Sequence, residues 1–287
     1  MNQRFDLVVL VIIDGFGWRD ASAGNAMKLA VMPRYDALWQ HGPRGFLRVC
    51  GPDVGLTDGA VGDSVTGHRT IGAGRAVWKS APPGMRNLLG DVIARAGLTQ
   101  LRIATPDRLA HVTSMINDGR ETPLTGEQHL AASDLVSETV VAIHSEKHNF
   151  ILVNIGDADT AGHTGDLDTA IEAVERVDRV LGQIAASVQA AGGALLITSD
   201  HGNCEMMRDP VTGAPHTGHT ANDVPVILSA PGHHLFRDGS LADVAPTILK
   251  LFGLPRPDEM TGSALYRGNM ENWNPKQRQT ELITYVE

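Results

Sequence analysis

Leu7-Val8-Val9-Leu10-Val11-Ile12-Ile13-Asp14-Gly15 is a run of seven apolar residues that stops at an acid and a glycine. The apolar positions are continuous rather than alternating, as in a strand buried on both faces, so the run reads as an inner strand of a parallel sheet. It is too short to span a bilayer, which takes roughly 20 apolar residues. It also ends at Asp14-Gly15 rather than at a small-residue cleavage site, which argues against a secretory leader. Runs of the same character recur at Leu101 to Ala104, Phe150 to Ile155, Ala194 to Thr198 and Val224 to Leu228. Between them lie helical patterns. The clearest opens after Asp166, a good N-cap, and sets Leu167, Ala170, Ile171, Val174, Val177, Leu181, Ile184 and Val188 at helical spacing until Gly192-Gly193. Further helices are predicted around Met32 to Gln40, Asn87 to Ala96, Leu135 to Lys147 and Val244 to Phe252. Strands alternating with helices imply an α/β fold, a mostly parallel sheet with helices on both faces.

Folds of this kind place ligands at the carboxyl ends of their strands, and polar residues collect there in this chain. Asp14 follows the first strand, Asp157 and Asp159 follow the Phe150 run, and Asp200-His201 follow the Ala194 run. A lone acid at such a place reads equally well as a turn or cap residue. The group is more telling: Asp159-x-x-x-His163, Asp200-His201 and His216-x-x-His219 combine carboxylates with imidazoles, a donor set that suits Zn²⁺, Mn²⁺ or a similar ion and two-metal hydrolysis. Gly59-Ala60-Val61-Gly62-Asp63-Ser64 is a Gly-rich turn leading into a helix. A serine there is either a plain N-cap or a hydroxyl set at a helix N-terminus, where amides and dipole favour phosphate.

The rest of the composition narrows the partners. A formal charge of −9 with no basic cluster argues against nucleic acid and against an anionic membrane. Two cysteines, Cys50 and Cys204, give neither a disulfide framework nor a CxxC pair, which fits a reducing, cytoplasmic setting. Residues 1–287 are expected to form one domain, with Lys79-Ser80-Ala81-Pro82-Pro83-Gly84 as its single linker-like stretch and a polar tail over 267–287. Oligomeric state is not legible.

The chain resembles the cofactor-independent phosphoglycerate mutases of the alkaline phosphatase superfamily. The resemblance rests on Ile13-Asp14-Gly15-Phe16-Gly17, Gly24-Asn25-Ala26, Gly62-Asp63-Ser64 with Gly67-His68, and Ile71-Gly72-Ala73-Gly74-Arg75. It continues through Ala110-His111-Val112-Thr113, Gly162-His163-Thr164-Gly165, Ser199-Asp200-His201-Gly202-Asn203 and Pro215-His216-Thr217-Gly218-His219-Thr220. It implies an alkaline-phosphatase-like three-layer sandwich, with Ser64 as the residue that becomes phosphorylated. It also implies two divalent ions, Mn²⁺ first with Zn²⁺, Mg²⁺ or Co²⁺ as alternatives. Asp14, Ser64, Asp200 and His201 would hold one, and Asp159, His163 and His219 the other. Arg108 stands where the family has a phosphate-contacting lysine, and His68 and His111 read either as turn or packing residues or as contacts to the phosphate or the leaving group.

Some positions depart from the pattern: Asp63 for the family's Asn, Val65 for Glu, Asp157-Ala158 for Asn-Pro. The largest departure lies near residues 79–85, where the family carries an inserted domain that holds the substrate while phosphate moves between its hydroxyls. Without that domain the alcohol should escape and water should take the phosphate. The expected activity is therefore a phosphomonoesterase acting on a small phosphorylated metabolite. The alternatives are a phosphomutase or phosphotransferase on a small phosphorylated or phosphonate metabolite and, from another class, a non-catalytic binding protein.

Overall fold

The structure is a computed structural model that describes residues 5–230 and 235–267. The tail expected over 267–287 lies, past Arg267, outside the described residues. The sheet has eight strands, here numbered along the chain with the two strands of a small separate ribbon: β1 (Val8–Ile13), β2 (Arg44–Arg48), β3 (Gln100–Ala104), β4 (Glu127–Ala131), β5 (Phe150–Ile155), β6 (Ala194–Thr198), β7 (Val224–Ser229), β8 (Leu235–Phe236), β9 (Gly239–Ser240) and β10 (Tyr266–Arg267). Their spatial order is β4-β3-β5-β1-β6-β7-β2-β9, and β8 pairs with β10. Every pairing in the large sheet is parallel except those of β7, which runs against both β6 and β2. β1 sits in the middle with all six residues buried, as its unbroken apolar run requires.

The pleat divides β1 between two cores. Val8, Leu10 and Ile12 point to one face, where they meet α3 (Ser64–Ala73), α4 (Leu89–Arg95) and α8 (Val244–Leu251). Val9, Val11 and Ile13 point to the other, covered by α1 (Ala26–Leu29), α2 (Pro33–His41), α5 (Leu135–His144) and α7 (Leu167–Ala190). The result is three layers, helices on both faces of a mostly parallel sheet. α7 opens where the sequence predicts: the Asp166 carboxylate accepts from the Thr169 amide at 2.8 Å. α5 stops at His144, short of Lys147, because the chain turns at Glu146 into a left-handed conformation (φ 54°). A short helix absent from the predictions, α6 (Asp157–Gly162), follows β5 directly.

The site is fixed by strand direction. The carboxyl ends of β1, β3, β5, β6 and β2 lie along one edge of the sheet, and antiparallel β7 enters from that same edge. The loop before β7, which carries His216 and His219, therefore meets the loops that follow the parallel strands. Residues 74–88 connect α3 to α4, so no inserted domain stands at that point of the chain.

Candidate metal and nucleophile site

Ser64 is the first residue of α3, whose N-cap Asp63 accepts from the Thr66 amide at 2.8 Å. The Ser64 Oγ lies 3.0 Å from His201 Nε2. That nitrogen is also 3.2 Å from Asp14 Oδ1 and 3.5 Å from Asp200 Oδ2, so Asp14, Ser64, Asp200 and His201 converge on one point. A second group lies beside it. Asp159 Oδ1 is 3.2 Å from His163 Nε2 and 3.6 Å from His219 Nε2, and the two imidazole nitrogens are 3.2 Å apart. The rings of His201 and His219 stack at 3.7 Å, which makes the two groups contiguous. Ligand atoms of Asp159, His163 and His219, and separately of Asp14, Asp159 and His201, are close enough together to hold a metal ion.

The donor chemistry fits divalent cations. His201, His163 and His219 each place Nδ1 against a backbone carbonyl: Gly202 O at 3.4 Å, Thr217 O at 2.8 Å and Gly62 O at 3.2 Å. An Nδ1–H that donates to a carbonyl leaves the Nε2 lone pair free, and all three Nε2 atoms face the carboxylates. Asp14 Oδ1 and Asp200 Oδ2 are buried against imidazole nitrogens, His201 Nε2 for the first and His68 Nδ1 and His201 Nε2 for the second. Buried carboxylate oxygens are costly without a cationic partner, a metal ion or a proton on those imidazoles. The same field acts on protons: burial opposes a charged His201, but Asp200 and Asp14 outweigh it and push its pKa up to about 10. Burial would raise Asp14, yet His201, His68 and Arg108 hold its carboxyl well below the usual range.

Arg108 links the two groups. Its guanidinium donates to Asp14 Oδ2 at 3.2 Å, Asp159 Oδ2 at 3.0 Å and Thr160 Oγ1 at 2.9 Å. Gly156 makes room for it, since a β-carbon there would lie 2.7 Å from its Nε. His68 takes the packing alternative. Its side chain is wholly buried beneath the nucleophile, with Nδ1 on Ser64 O (2.9 Å) and Asp200 Oδ2 (3.2 Å) and Nε2 facing Asn154 Nδ2 (3.2 Å). No face is left for a substrate: one turn after Ser64 it shares that residue's side of α3, but Asp200 and Asn154 close around the ring. His111 packs edge-on against His68, with Nε2 3.8 Å from Asp14 Oδ2, and retains a small exposed edge. His216 belongs to neither metal-ligand group.

Three supporting residues escaped sequence reasoning as site residues. Asn154, inside β5, donates to Asp14 Oδ2 at 3.2 Å. Asn203 donates to Asp159 Oδ1 at 3.2 Å. Glu205, fully buried, accepts from the Gly17 and Asn203 amides at 3.2 and 2.8 Å, from Asn222 Nδ2 at 2.9 Å and from the Thr220 hydroxyl. It thereby ties together the loops after β1, after β6 and before β7. The signal available was their lodging in or beside strand ends, which many structural polar residues share.

Comparison with known proteins places this geometry. A family model described as the metalloenzyme superfamily matches residues 6–256. The 2,3-bisphosphoglycerate-independent phosphoglycerate mutase of Rhodopseudomonas palustris is 48% identical over 200 residues, 64% of this chain and 40% of that protein. The corresponding mutase of Gluconobacter oxydans is 47% identical over 195 residues, 62% of this chain and 38% of that protein. The matched region thus spans about two fifths of these relatives. Among solved structures, a phosphoglycerate mutase of Leishmania mexicana at low cobalt concentration superposes with a TM-score of 0.84 at 15% identity, covering 93% of this chain and 98% of that chain. The alkaline phosphatase of the Antarctic bacterium TAB5 superposes at 0.60 with 14% identity, covering 89% and 100%. At such identities the likeness is one of fold, an alkaline-phosphatase-like α/β sandwich.

Proposed function

This chain belongs to the metalloenzyme superfamily, and from that premise we propose that it is a metal-dependent phosphoryl-transfer enzyme for a small phosphate ester, working through a phosphoserine on Ser64. The observation that carries the reading is the Ser64 hydroxyl at the N-terminus of α3, 3.0 Å from His201 Nε2 and beside two carboxylate–imidazole groups. Asp14, Ser64, Asp200 and His201 are assigned to one divalent ion and Asp159, His163 and His219 to a second, with Mn²⁺ as the first choice and Zn²⁺, Mg²⁺ or Co²⁺ as alternatives. Such ions, when bound, lower the pKa of a coordinated hydroxyl and neutralise phosphoryl oxygens. The reading treats residues 1–287 as one alkaline-phosphatase-like unit.

The protein's own groups do the rest. The first-turn amides of α3 and the Arg108 guanidinium face the phosphoryl oxygens, and His111 offers its exposed edge at the same mouth. The Ser64 Oγ–P bond forms as the ester P–O bond breaks, and the departing alcohol takes up the proton that Ser64 gives up. Asp63 would oppose an incoming anion, but Lys79 Nζ pairs with its Oδ2 at 2.6 Å and offsets that charge.

The acceptor of the second step separates two activities. The names of the relatives favour return of the group to an organic hydroxyl, as in a phosphotransferase or mutase. The short 74–88 connection, which brings no inserted domain to enclose the alcohol, favours water and a phosphomonoesterase. Product analysis with a divalent cation present decides: an isomerised or newly phosphorylated alcohol marks transfer, and inorganic phosphate marks hydrolysis. Neither product in the presence of cation, from any of a panel of phosphomonoesters, would sink both.

A further inference from the structure

Beside the nucleophile lies an apolar rim that the chemistry above does not use. Val65 directly follows Ser64 and is 43% exposed, Val61 in the turn before it is also 43% exposed, and Trp78 is 52% exposed. Trp78 is brought there by the short connection. It precedes Lys79, whose ammonium reaches Asp63, the residue before Ser64, and its backbone packs on Gly55, where a β-carbon would lie 2.6 Å from Trp78 N.

The connection is a built element. Val77 and Leu88 are buried against Ala73, with Ala81 and Met85 packed on them. Asp118 Oδ2 accepts from the Gly84 and Met85 amides at 2.7 Å each, and Arg69 donates to Ala81 O at 3.2 Å. With Val77 buried beneath it and Lys79 reaching Asp63, the half-exposed Trp78 is left beside the turn that leads into Ser64.

The charges around this rim are already matched. Lys79 is paired with Asp63, Arg69 with Asp118, and Arg108 with Asp14 and Asp159. The exposed acids Asp107 and Asp157 are paired as well, with Arg108 at 3.6 Å and Arg176 at 3.5 Å. A carboxylate on the organic part of a substrate would find no unpaired cation among these residues. An uncharged hydrocarbon would find Val61, Val65 and Trp78.

We infer that the substrate is a phosphomonoester of an uncharged, apolar alcohol, with Trp78 and Val65 as specificity-determining residues against which the alcohol packs. This rests on the phosphoserine reading of Ser64 and adds the class of leaving group to it. The test uses the full-length protein with Mn²⁺ and follows release of the alcohol, which reports the first step whichever acceptor follows. 2-Phenylethyl phosphate, ethyl phosphate and 3-phosphoglycerate are compared, the first two having leaving groups of similar basicity. The phenylethyl ester is expected to exceed both others in kcat/KM by about tenfold or more, the scale on which apolar pockets discriminate. Trp78→Ala and Val65→Glu should each lower the phenylethyl-to-ethyl ratio of kcat/KM by about tenfold. Preference for 3-phosphoglycerate, or ratios unmoved in both variants, overturns the inference while leaving Ser64 in place. Undiminished alcohol release by Ser64→Ala would instead overturn the phosphoserine reading.

Discussion

His163, His201 and His219 each face a backbone carbonyl with one ring nitrogen and the carboxylates with the other. Asn154 does for Asp14 what those carbonyls do for the imidazoles, holding Oδ2 so that Oδ1 points to His201, while Asn203 orients Asp159 through Oδ1, the oxygen that faces His163 and His219. Such outer partners typically contribute ten- to a hundredfold in metal affinity. Asn154→Leu, nearly isosteric in a buried strand, is therefore expected to weaken divalent-cation binding by about 10- to 100-fold in a calorimetric titration with the fold intact. Unchanged affinity would show that Asp14 needs no such support. A second consequence concerns protons. With its pKa pushed up to about 10, His201 carries a proton in the cation-free protein at neutral pH, and a metal must displace it. Apparent metal affinity should rise with pH from 7 towards 10, and titrations in buffers of different ionisation enthalpy should reveal proton release. Affinity independent of pH would contradict this. The seven residues implied as ligands are all brought together, because Ser64 opens α3 after its Gly-rich turn and the other six lie in the segments that adjoin strand ends. Which of its two readings His68 would take was not legible, since the sequence does not show that Asp200 and Asn154 close around its ring.

α3 carries Ser64, the proposed nucleophile, and its position depends on what its glycines lack. A β-carbon at Gly72 would lie 1.9 Å from Ile116 O, and one at Gly67 would lie 2.6 Å from Asp200 O, backbone atoms that cannot swing aside. Gly72→Ala is expected to cost about 1–3 kcal/mol or more by overpacking, read as a lower denaturant midpoint at constant slope. A neutral result would mean that α3 is not wedged against the π-helical turn His111–Met115 and its C-cap Ile116. The elements that sequence reasoning found are those with a long repeat: continuous strands and helices of several turns. β2 escaped because it is a strand of Arg44-Gly45-Phe46-Leu47-Arg48 with charged, exposed ends. β4 is an edge strand with Glu127 and His129 in it, and α6 is too short to show a helical period. The partner of β4 hides a further surprise: Arg102, inside an apolar run, is fully buried and faces Glu127 at 3.5 Å. Spacing gave no warning that β7 runs antiparallel, which is the reason His219 reaches the site.

At the scale of the molecule, a chain of formal charge −9 concentrates buried carboxylates at one edge of its sheet and sets the Arg108 guanidinium and several imidazoles against them. Bound divalent ions should therefore stabilise the fold. Ligand at a hundred times its Kd adds about 2.7 kcal/mol, and at about 2–4 °C per kcal/mol the melting temperature should rise by roughly 5–10 °C on metal addition and fall back with chelator. A melting temperature indifferent to both would argue against a metal centre. Among the described residues no helix is long and apolar enough to cross a membrane. The missing insertion was legible because flanking motifs bracket it, whereas the way its short replacement seats Trp78 and Lys79 at the nucleophile required coordinates. The most direct test of the whole account is to mix the protein with a turned-over phosphate ester and Mn²⁺, quench it, and locate bound phosphate by peptide mass spectrometry. Phosphate on the peptide containing Ser64, absent with chelator and in Ser64→Ala, is the predicted result; phosphate on another residue, or turnover undiminished in Ser64→Ala, would contradict it.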